Sequence, residues 1–387
     1  MRKWFKPATY YKILFKLLTK LPKKNVIVFD SFDGRAFSDN PKALYEYAKQ
    51  KYSDYQLIWH VRKNDVHKFR EAKVPYYTSP SWQELWLQTR AKLWIVNART
   101  TKWKQPGTGT TLLQTWHGTP LKKLGLDIKH VTMPNVSTEE YHRHFLEDVA
   151  KWDYLLAANE YSAQIFSTAF AFDKDRILLT GYPRNDKLVN ATVADIEKIK
   201  QTLNLSLYKK IILYAPTWRD DQNLGQGKYY LDLPFDFERF SQQFPDCVLL
   251  VRAHYLISEN LNITQYENVV DVSSYGDISD LYLISDMLIT DYSSVFFDYA
   301  ILNRPMIFYA YDYAKYQNEI RGFYFDYQKV PGPIVENNDA LFTQIEYYLN
   351  NPHVDLTKFQ QQYCQLEDGH ASARVFAELT KRGDING

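Results

Sequence analysis

Cysteine is nearly missing from this chain: Cys247 and Cys364 are the only two among 387 residues, far apart and in no metal-type spacing. That excludes a disulfide framework and a zinc ribbon, and it fits a reducing, cytoplasmic location. Long apolar runs are missing too. The N-terminal apolar positions are interrupted by lysines and no small-residue cleavage site follows, so neither a membrane span nor a signal peptide is expected. No internal repeat or low-complexity tract is visible. What is present, 45% hydrophobic and 24% charged residues, makes a globular chain long enough for two domains with separate cores.

The formal net charge of +2 conceals an asymmetry. Residues 1–24 carry Arg2, Lys3, Lys6, Lys12, Lys16, Lys20, Lys23 and Lys24 and no acid; the rest of the chain has 39 basic against 45 acidic residues, a formal −6. No nucleic-acid partner is expected from such a body. Within the basic segment Tyr10, Leu14, Leu17, Leu18 and Leu21 fall on one helical stripe, and Lys12, Lys16 and Lys20 on another. This is the pattern of a helix lying on an anionic membrane surface, with each lysine near the headgroups worth about 1 kcal/mol. The alternative is a helix packed on the protein body with its lysines in water.

From residue 25 onward, short apolar runs alternate with helical periodicity. Residues 25–29, 56–61, 93–97, 112–115, 154–157 and 176–180 read as strands, and 41–51, 81–90, 138–150 and 161–170 as helices. A polar, helix-prone stretch at 185–205 reads as a linker. The alternation then restarts, with strands at 211–214, 248–252, 269–272, 287–290 and 306–309 and helices at 235–243, 278–285, 294–302 and 338–350. The expected architecture is α/β, two doubly wound parallel-sheet halves. The expected domains are a basic segment 1–24, a first domain 25–200 and a second 201–387. A last helix over 371–381 either closes the core of its own half or packs back on the first domain. Ligands in such folds lie beyond the carboxyl ends of the strands, which makes the cleft between the halves the expected site.

The unusual residues fall at those strand ends. Thr115-Trp116-His117-Gly118-Thr119-Pro120 follows a strand of the first half; Ala215-Pro216-Thr217-Trp218-Arg219-Asp220, Arg252-Ala253-His254 and Thr290-Asp291-Tyr292-Ser293-Ser294 follow strands of the second. A histidine before Gly-Thr-Pro sits on a tight loop and not on an apolar face, which favours a catalytic role for His117. In residues 287–305 a strand end, a small polar turn and a helix start come together. Ser293 and Ser294 offer hydroxyls and backbone N–H groups to an anion, and Asp298 sits one turn into the helix, where a carboxylate can take ribose hydroxyls. The serines would serve as well as plain N-caps, and Asp298 as a carboxylate favoured by the helix dipole. Asp291 either meets a partner side chain or caps the turn.

At these residues the sequence resembles the CDP-glycerol glycerophosphotransferase family of wall teichoic acid synthesis. The blocks that carry the resemblance are Ser31-Phe32-Asp33-Gly34 with Asp39-Asn40-Pro41, Gln114 to Lys122, Gly181-Tyr182-Pro183-Arg184-Asn185-Asp186, Tyr214 to Arg219, Arg252-Ala253-His254, Asp277-Ile278-Ser279-Asp280-Leu281, Thr290 to Ser294, and Arg321-Gly322-Phe323-Tyr324. The resemblance is to the short primase and single-unit members more than to the long polymerases. It implies a GT-B-like fold with two Rossmann-type domains, a CDP-glycerol donor bound mainly by the second half, and an undecaprenyl-type lipid-linked acceptor at the cytoplasmic face of the membrane, where the protein would be peripheral. It also implies His117 as the base on the acceptor hydroxyl, His254 with Ser293 and Ser294 on the pyrophosphate, and Asp298 on the ribose, with Thr290 in the same turn. Arg219, Arg252, Arg321 and Lys122 are added as substrate-binding candidates from charge. No Asp-x-Asp-type metal cluster stands at a strand end, so no metal or other cofactor is expected, and protein groups are expected to neutralise the pyrophosphate. A CDP-ribitol donor and a UDP-sugar GT-B glycosyltransferase are the alternative functions; the oligomeric state is open.

Overall fold

The structure is a computed structural model and describes residues 7–131, 136–217, 223–225, 228–229, 233–253, 263–316 and 322–386. Two compact units divide the chain. The first holds the residues up to His117, Leu124–Asp186 and those from Leu366 on; the second holds Gly118–Lys123 and Lys187–Gln365.

The first unit is built on seven parallel strands: β1 (Lys24–Asp30), β2 (Gln56–Val61), β3 (Tyr76–Thr78), β4 (Ala91–Val96), β5 (Thr111–Gln114), β6 (Tyr154–Ala157) and β7 (Ile177–Leu179). Their spatial order is β3-β2-β1-β4-β5-β6-β7. Val26 to Phe29 are all buried, as expected of a central parallel strand covered on both faces. In register, Phe29 lies beside Trp59 on one side and Ile95 on the other. The ring of Trp59 is wedged among Phe29, Phe37, Tyr45 and Phe69. The closing helix Ala371–Lys381 adds Val375, Phe376 and Leu379 to the same core. At about 1.5–3 kcal/mol per fully buried large apolar side chain, those three hold the C-terminus firmly on this sheet. Asp186 accepts from the backbone N–H groups of Ala371 and Ser372 and fixes the start of that helix.

The second unit repeats the scheme. Its parallel strands are β8 (Lys210–Ala215), then, after a small antiparallel ribbon of β9 (Asn223–Gly225) and β10 (Lys228–Tyr229), β11 (Cys247–Val251), β12 (Val269–Asp271), β13 (Met287–Thr290), β14 (Met306–Tyr309) and β15 (Ile334–Val335). The order is β12-β11-β8-β13-β14-β15, the same 3-2-1-4-5-6 winding as in the first unit. In both sheets the order reverses at one point, between β1 and β4 and between β8 and β13. Loops leaving those strand ends diverge and leave a crevice.

The domain boundary differs from the expected one. It falls at 186/187, since the helix Val193–Thr202 packs on the helix Ile278–Ile284 of the second unit. A capping box, Thr192 with Asp195, starts that helix where the sequence reads as linker. Gly118–Lys123 joins the second unit because it is stitched to 322–324: Lys123 N donates to Gly322 O at 2.8 Å and Tyr324 N to Leu121 O at 2.9 Å.

The N-terminal helix, α1 (Pro7–Leu18), packs by one side and exposes the other. Phe15 is buried against Trp94 and Trp103, and Tyr11 meets Trp103 edge-on. Tyr10, Ile13, Leu17 and Leu21 stay exposed. The covered face therefore runs through Tyr11 and Phe15, one position off the stripe read from the sequence.

Candidate functional site

In the first unit the site is built at the carboxyl end of β1, β4 and β5. Thr115 N continues the ladder by donating to Val96 O at 2.7 Å, and then the chain turns sharply at Trp116, whose φ is +51°. Trp116 N donates to the side chain of its neighbour Gln114. The turn delivers His117, whose Nδ1 lies 2.7 Å from the backbone oxygen of Asn97, the first residue after β4. A carbonyl can only accept, so Nδ1 carries the proton and Nε2 of the neutral ring keeps its lone pair. The ring is stacked on Trp116, with centroids 4.5 Å apart, and Phe32 tilts against it at 5.8 Å.

More than a third of the His117 surface remains open to solvent. Surrounding protein nevertheless lowers its pKa below the ordinary histidine value by displacing water. The Asn97 carbonyl and Asp39 oppose this and Arg184 adds to it. Asp39 and Arg184 form an ion pair at 3.0 Å, both side chains about 10% exposed or less. The result is an oriented, neutral imidazole near neutral pH, the form a general base requires.

Beside this, Asp30, Asp33 and His60 bring potential ligand atoms within 4.8 Å of one another. These atoms are already engaged: His60 Nδ1 pairs with Asp30 at 2.6 Å, Asp33 pairs with Arg62, and Gly34 N donates to Asp30. Burial, which alone would raise the Asp30 pKa, is outweighed by His60, Lys104 and the Gly34 N–H, and the carboxyl is held low. A guanidinium against one of the carboxylates fits an internal ion-pair network better than a cation site.

In the second unit the turn after β13 is placed by its neighbours at the switch point. Thr290 is fully buried and its hydroxyl donates to Ala215 O at 2.8 Å, so in this structure it ties two strand ends together. Asp291 is buried and accepts from Thr217 N at 2.7 Å; its role is to pin the loop after β8. Asn97 does the same in the first unit, where its side chain accepts from Phe32 N at 2.7 Å. Tyr327 OH donates to Asp291 O, and Tyr292 OH to Asp312.

Ser293 and Ser294 are half-buried ahead of the short helix Val295–Tyr299, and Ser294 makes no side-chain capping bond. Asp298 is 5% exposed on that helix. Arg252 Nη1 donates to Val272 O and Tyr275 O at 3.2 and 2.7 Å, which closes the loop after β12. Lys122 reaches Tyr316 OH at 3.0 Å and pairs in a bridge with Phe323. His254, Arg219 and Arg321 lie outside the described residues.

Two features of the structure are not expected from the sequence. Asn97 carries a signal, an amide directly after the apolar run of β4, where strand-end chemistry sits. Trp82 and Trp86, on the helix Trp82–Leu87 that packs beside α1, are 76% and 51% exposed; Arg90 and Lys24 lie over the Trp86 ring. Two exposed tryptophans near Tyr10, Ile13, Leu17 and Leu21 exceed the scattered apolar exposure of an ordinary surface. Among the described residues, no helix is long and apolar enough to cross a membrane.

The family model described as CDP-glycerol:poly(glycerophosphate) glycerophosphotransferase matches residues 13–381. A teichoic acid glycerol-phosphate transferase of Staphylococcus aureus is 50% identical over 375 residues, covering 95% of this chain and 96% of the relative. A teichoic acid poly(glycerol phosphate) polymerase of Bacillus spizizenii is 44% identical, with 95% of each chain covered. Among solved structures, the wall teichoic acid polymerase TagF soaked with CDPG superimposes with a TM-score of 0.86 at 37% identity, covering 98% of each chain. With that likeness the two Rossmann-type sheets are those of a GT-B-like transferase. Two strand-end sites on such sheets, and similarity over nearly the whole length, lead to one conclusion: the chain belongs to the CDP-glycerol glycerophosphotransferase family of teichoic acid synthesis.

Proposed function

We propose that this protein transfers glycerol phosphate from CDP-glycerol to a hydroxyl of a prenyl-diphosphate-linked disaccharide, or of its glycerol-phosphate-primed form, and releases CMP. The observation that carries this is His117, a neutral imidazole whose Nδ1–H is fixed on the Asn97 carbonyl while its ring remains accessible. The acceptor hydroxyl attacks the phosphorus that bears the donor glycerol, and its proton passes to His117 Nε2. The bond from that phosphorus to the bridging oxygen breaks, and CMP leaves with the electron pair. Negative charge grows on the leaving phosphate, where His254, Ser293 and Ser294 would hold the pyrophosphate. Asp298 would take the ribose hydroxyls. Protein donors are assigned to the pyrophosphate charge, with no resident metal. Excess EDTA is expected to leave the rate within about threefold, and loss of activity restored by magnesium would reassign that charge to a metal.

Incubating the purified protein with CDP-glycerol, CDP-ribitol and UDP-sugars tests the donor. CMP is expected from CDP-glycerol only when acceptor is present. Turnover of a UDP-sugar, or of CDP-ribitol in preference, would replace this function with the corresponding alternative.

The lipid acceptor needs the enzyme at a bilayer, and the exposed face of α1 with Trp82 and Trp86 supports a peripheral position at the cytoplasmic membrane face. Tyrosine and tryptophan suit the headgroup level, while Lys12, Lys16 and Lys20 face anionic lipid. Because Phe15 belongs to the core, deleting the segment would disturb the fold; point changes on the exposed side are the cleaner probe. Leu17→Glu with Ile13→Glu is expected to cut sedimentation with anionic vesicles at least tenfold and to slow the lipid acceptor more than a water-soluble analogue. Unchanged sedimentation would remove the membrane role.

A further inference from the structure

We infer that Asn40 and Asn97 are the positioning residues of His117, Asn40 by clamping the backbone that carries it and Asn97 by setting its tautomer and ring orientation. The inference rests on the reading of His117 as the base.

Asn40 is fully buried at the start of α2 (Asp39–Lys51). Its Nδ2 faces the carbonyls of both Thr115 and Trp116, at 3.4 and 3.2 Å, and its Oδ1 accepts from Arg184 N at 3.1 Å. One amide thus joins three segments that are remote in sequence: the helix start, the turn before His117, and the turn after β7. The amide places an NH2 donor and a carbonyl acceptor on separate atoms of one short side chain, an arrangement that neither aspartate nor leucine could reproduce. The turn it holds has Trp116 in the left-handed region, which an L-residue keeps only when its surroundings enforce it.

Asn97 is also fully buried. While its backbone oxygen takes the His117 Nδ1–H, its side chain holds the turn after β1 by accepting from Phe32 N at 2.7 Å and donating to Ser31 Oγ at 3.3 Å. That turn presents the Phe32 ring to the imidazole. The charged groups acting on the ring are Asp39 and Arg184, and both are fixed through the same contacts: Asp39 precedes Asn40, and Arg184 N is bound by it. A base displaced by about 1 Å loses on the order of a hundredfold in rate, so such clamps are of the size that matters.

The test uses the full chain with histidine labelled in 15N, the His117 resonances being assigned by their loss in His117→Asn. In the wild type His117 is expected as the Nδ1–H tautomer. Asn40→Ala is expected to lower kcat 10- to 100-fold with KM for CDP-glycerol within about twofold, to leave the circular dichroism unchanged, and to give His117 a mixture of tautomers. Asn97→Ala, which keeps the backbone carbonyl but frees the Phe32 turn, is expected to change His117 in the same direction by less. Wild-type His117 signals in folded Asn40→Ala and Asn97→Ala would overturn the inference, as would a rise in KM with kcat intact. If Asn40→Ala does not fold, Asn97→Ala decides by the same signals. The imidazole spectrum needs no turnover, so the inference can stand or fall separately from the base: full activity in His117→Ala would remove the base and leave the positioning result to be read from the spectrum.

Discussion

Replacing His117 by alanine is expected to reduce glycerol phosphate transfer by about 10²- to 10⁴-fold, the usual contribution of a positioned general base, with binding of CDP-glycerol little changed. The loss belongs in kcat, because the imidazole acts on the attacking hydroxyl in the transition state and is not assigned to the donor. The fold should survive, since the ring is partly open to solvent and its main partner is a backbone carbonyl. The wild-type pH profile carries the same information. Only the neutral ring accepts a proton, and the His117 pKa is lowered, first by displacement of water. The acid limb of kcat/KM should therefore have its midpoint below the ordinary histidine value of about 6.5, with a plateau at higher pH. Initial rates at saturating acceptor, from pH 5 to 8, check this. A limb centred above 6.5, or wild-type activity in the variant, would contradict the assignment.

The second large effect is one of stability. Glu84 is fully buried at the first turn of its helix and meets Lys104 at 2.5 Å, with Ser79 Oγ donating to both carboxylate oxygens and Tyr11 OH adding a third donor. Lys104→Met leaves this carboxylate without its counter-charge, and breaking a buried pair from one side costs about 3–5 kcal/mol. Changing both partners, Glu84→Gln with Lys104→Met, should cost clearly less, because no uncompensated charge remains. Burial and the neighbouring Glu84 also raise the Tyr11 pKa, so the phenol stays a donor. The network ties α1 and the helix of Trp82 and Trp86 to the segments that follow β3 and β4, so Lys104→Met should weaken vesicle binding together with stability. Urea unfolding followed by tryptophan fluorescence measures the loss of stability, and an unshifted midpoint would show that the pair is not the anchor.

Sequence periodicity was sufficient for the long central strands, because β1, β2, β4, β8 and β11 are buried on both faces and read as continuous apolar runs. It failed at one edge of each sheet. β3 and β15, three and two residues long, are too short to show any period. The His117 loop was legible because the run Thr115-Trp116-His117-Gly118-Thr119-Pro120 follows an apolar strand. The residues that set its geometry were not, since Asn40 and Asn97 act through contacts with segments about 60 to 140 positions away. Charge alone marks Arg252 as an anion ligand near a strand end but does not reveal the structural bonds its Nη1 makes to two carbonyls of the loop after β12.

Glycerol phosphate transfer itself is read by mass spectrometry of a synthetic prenyl-linked acceptor after incubation with the enzyme and CDP-glycerol. Products heavier than the acceptor by whole glycerol phosphate units are expected, with CMP in equal number, and in the same time at least a hundredfold fewer with His117→Ala. An acceptor left unchanged by CDP-glycerol but extended by a sugar from a UDP-sugar would contradict the proposed transfer.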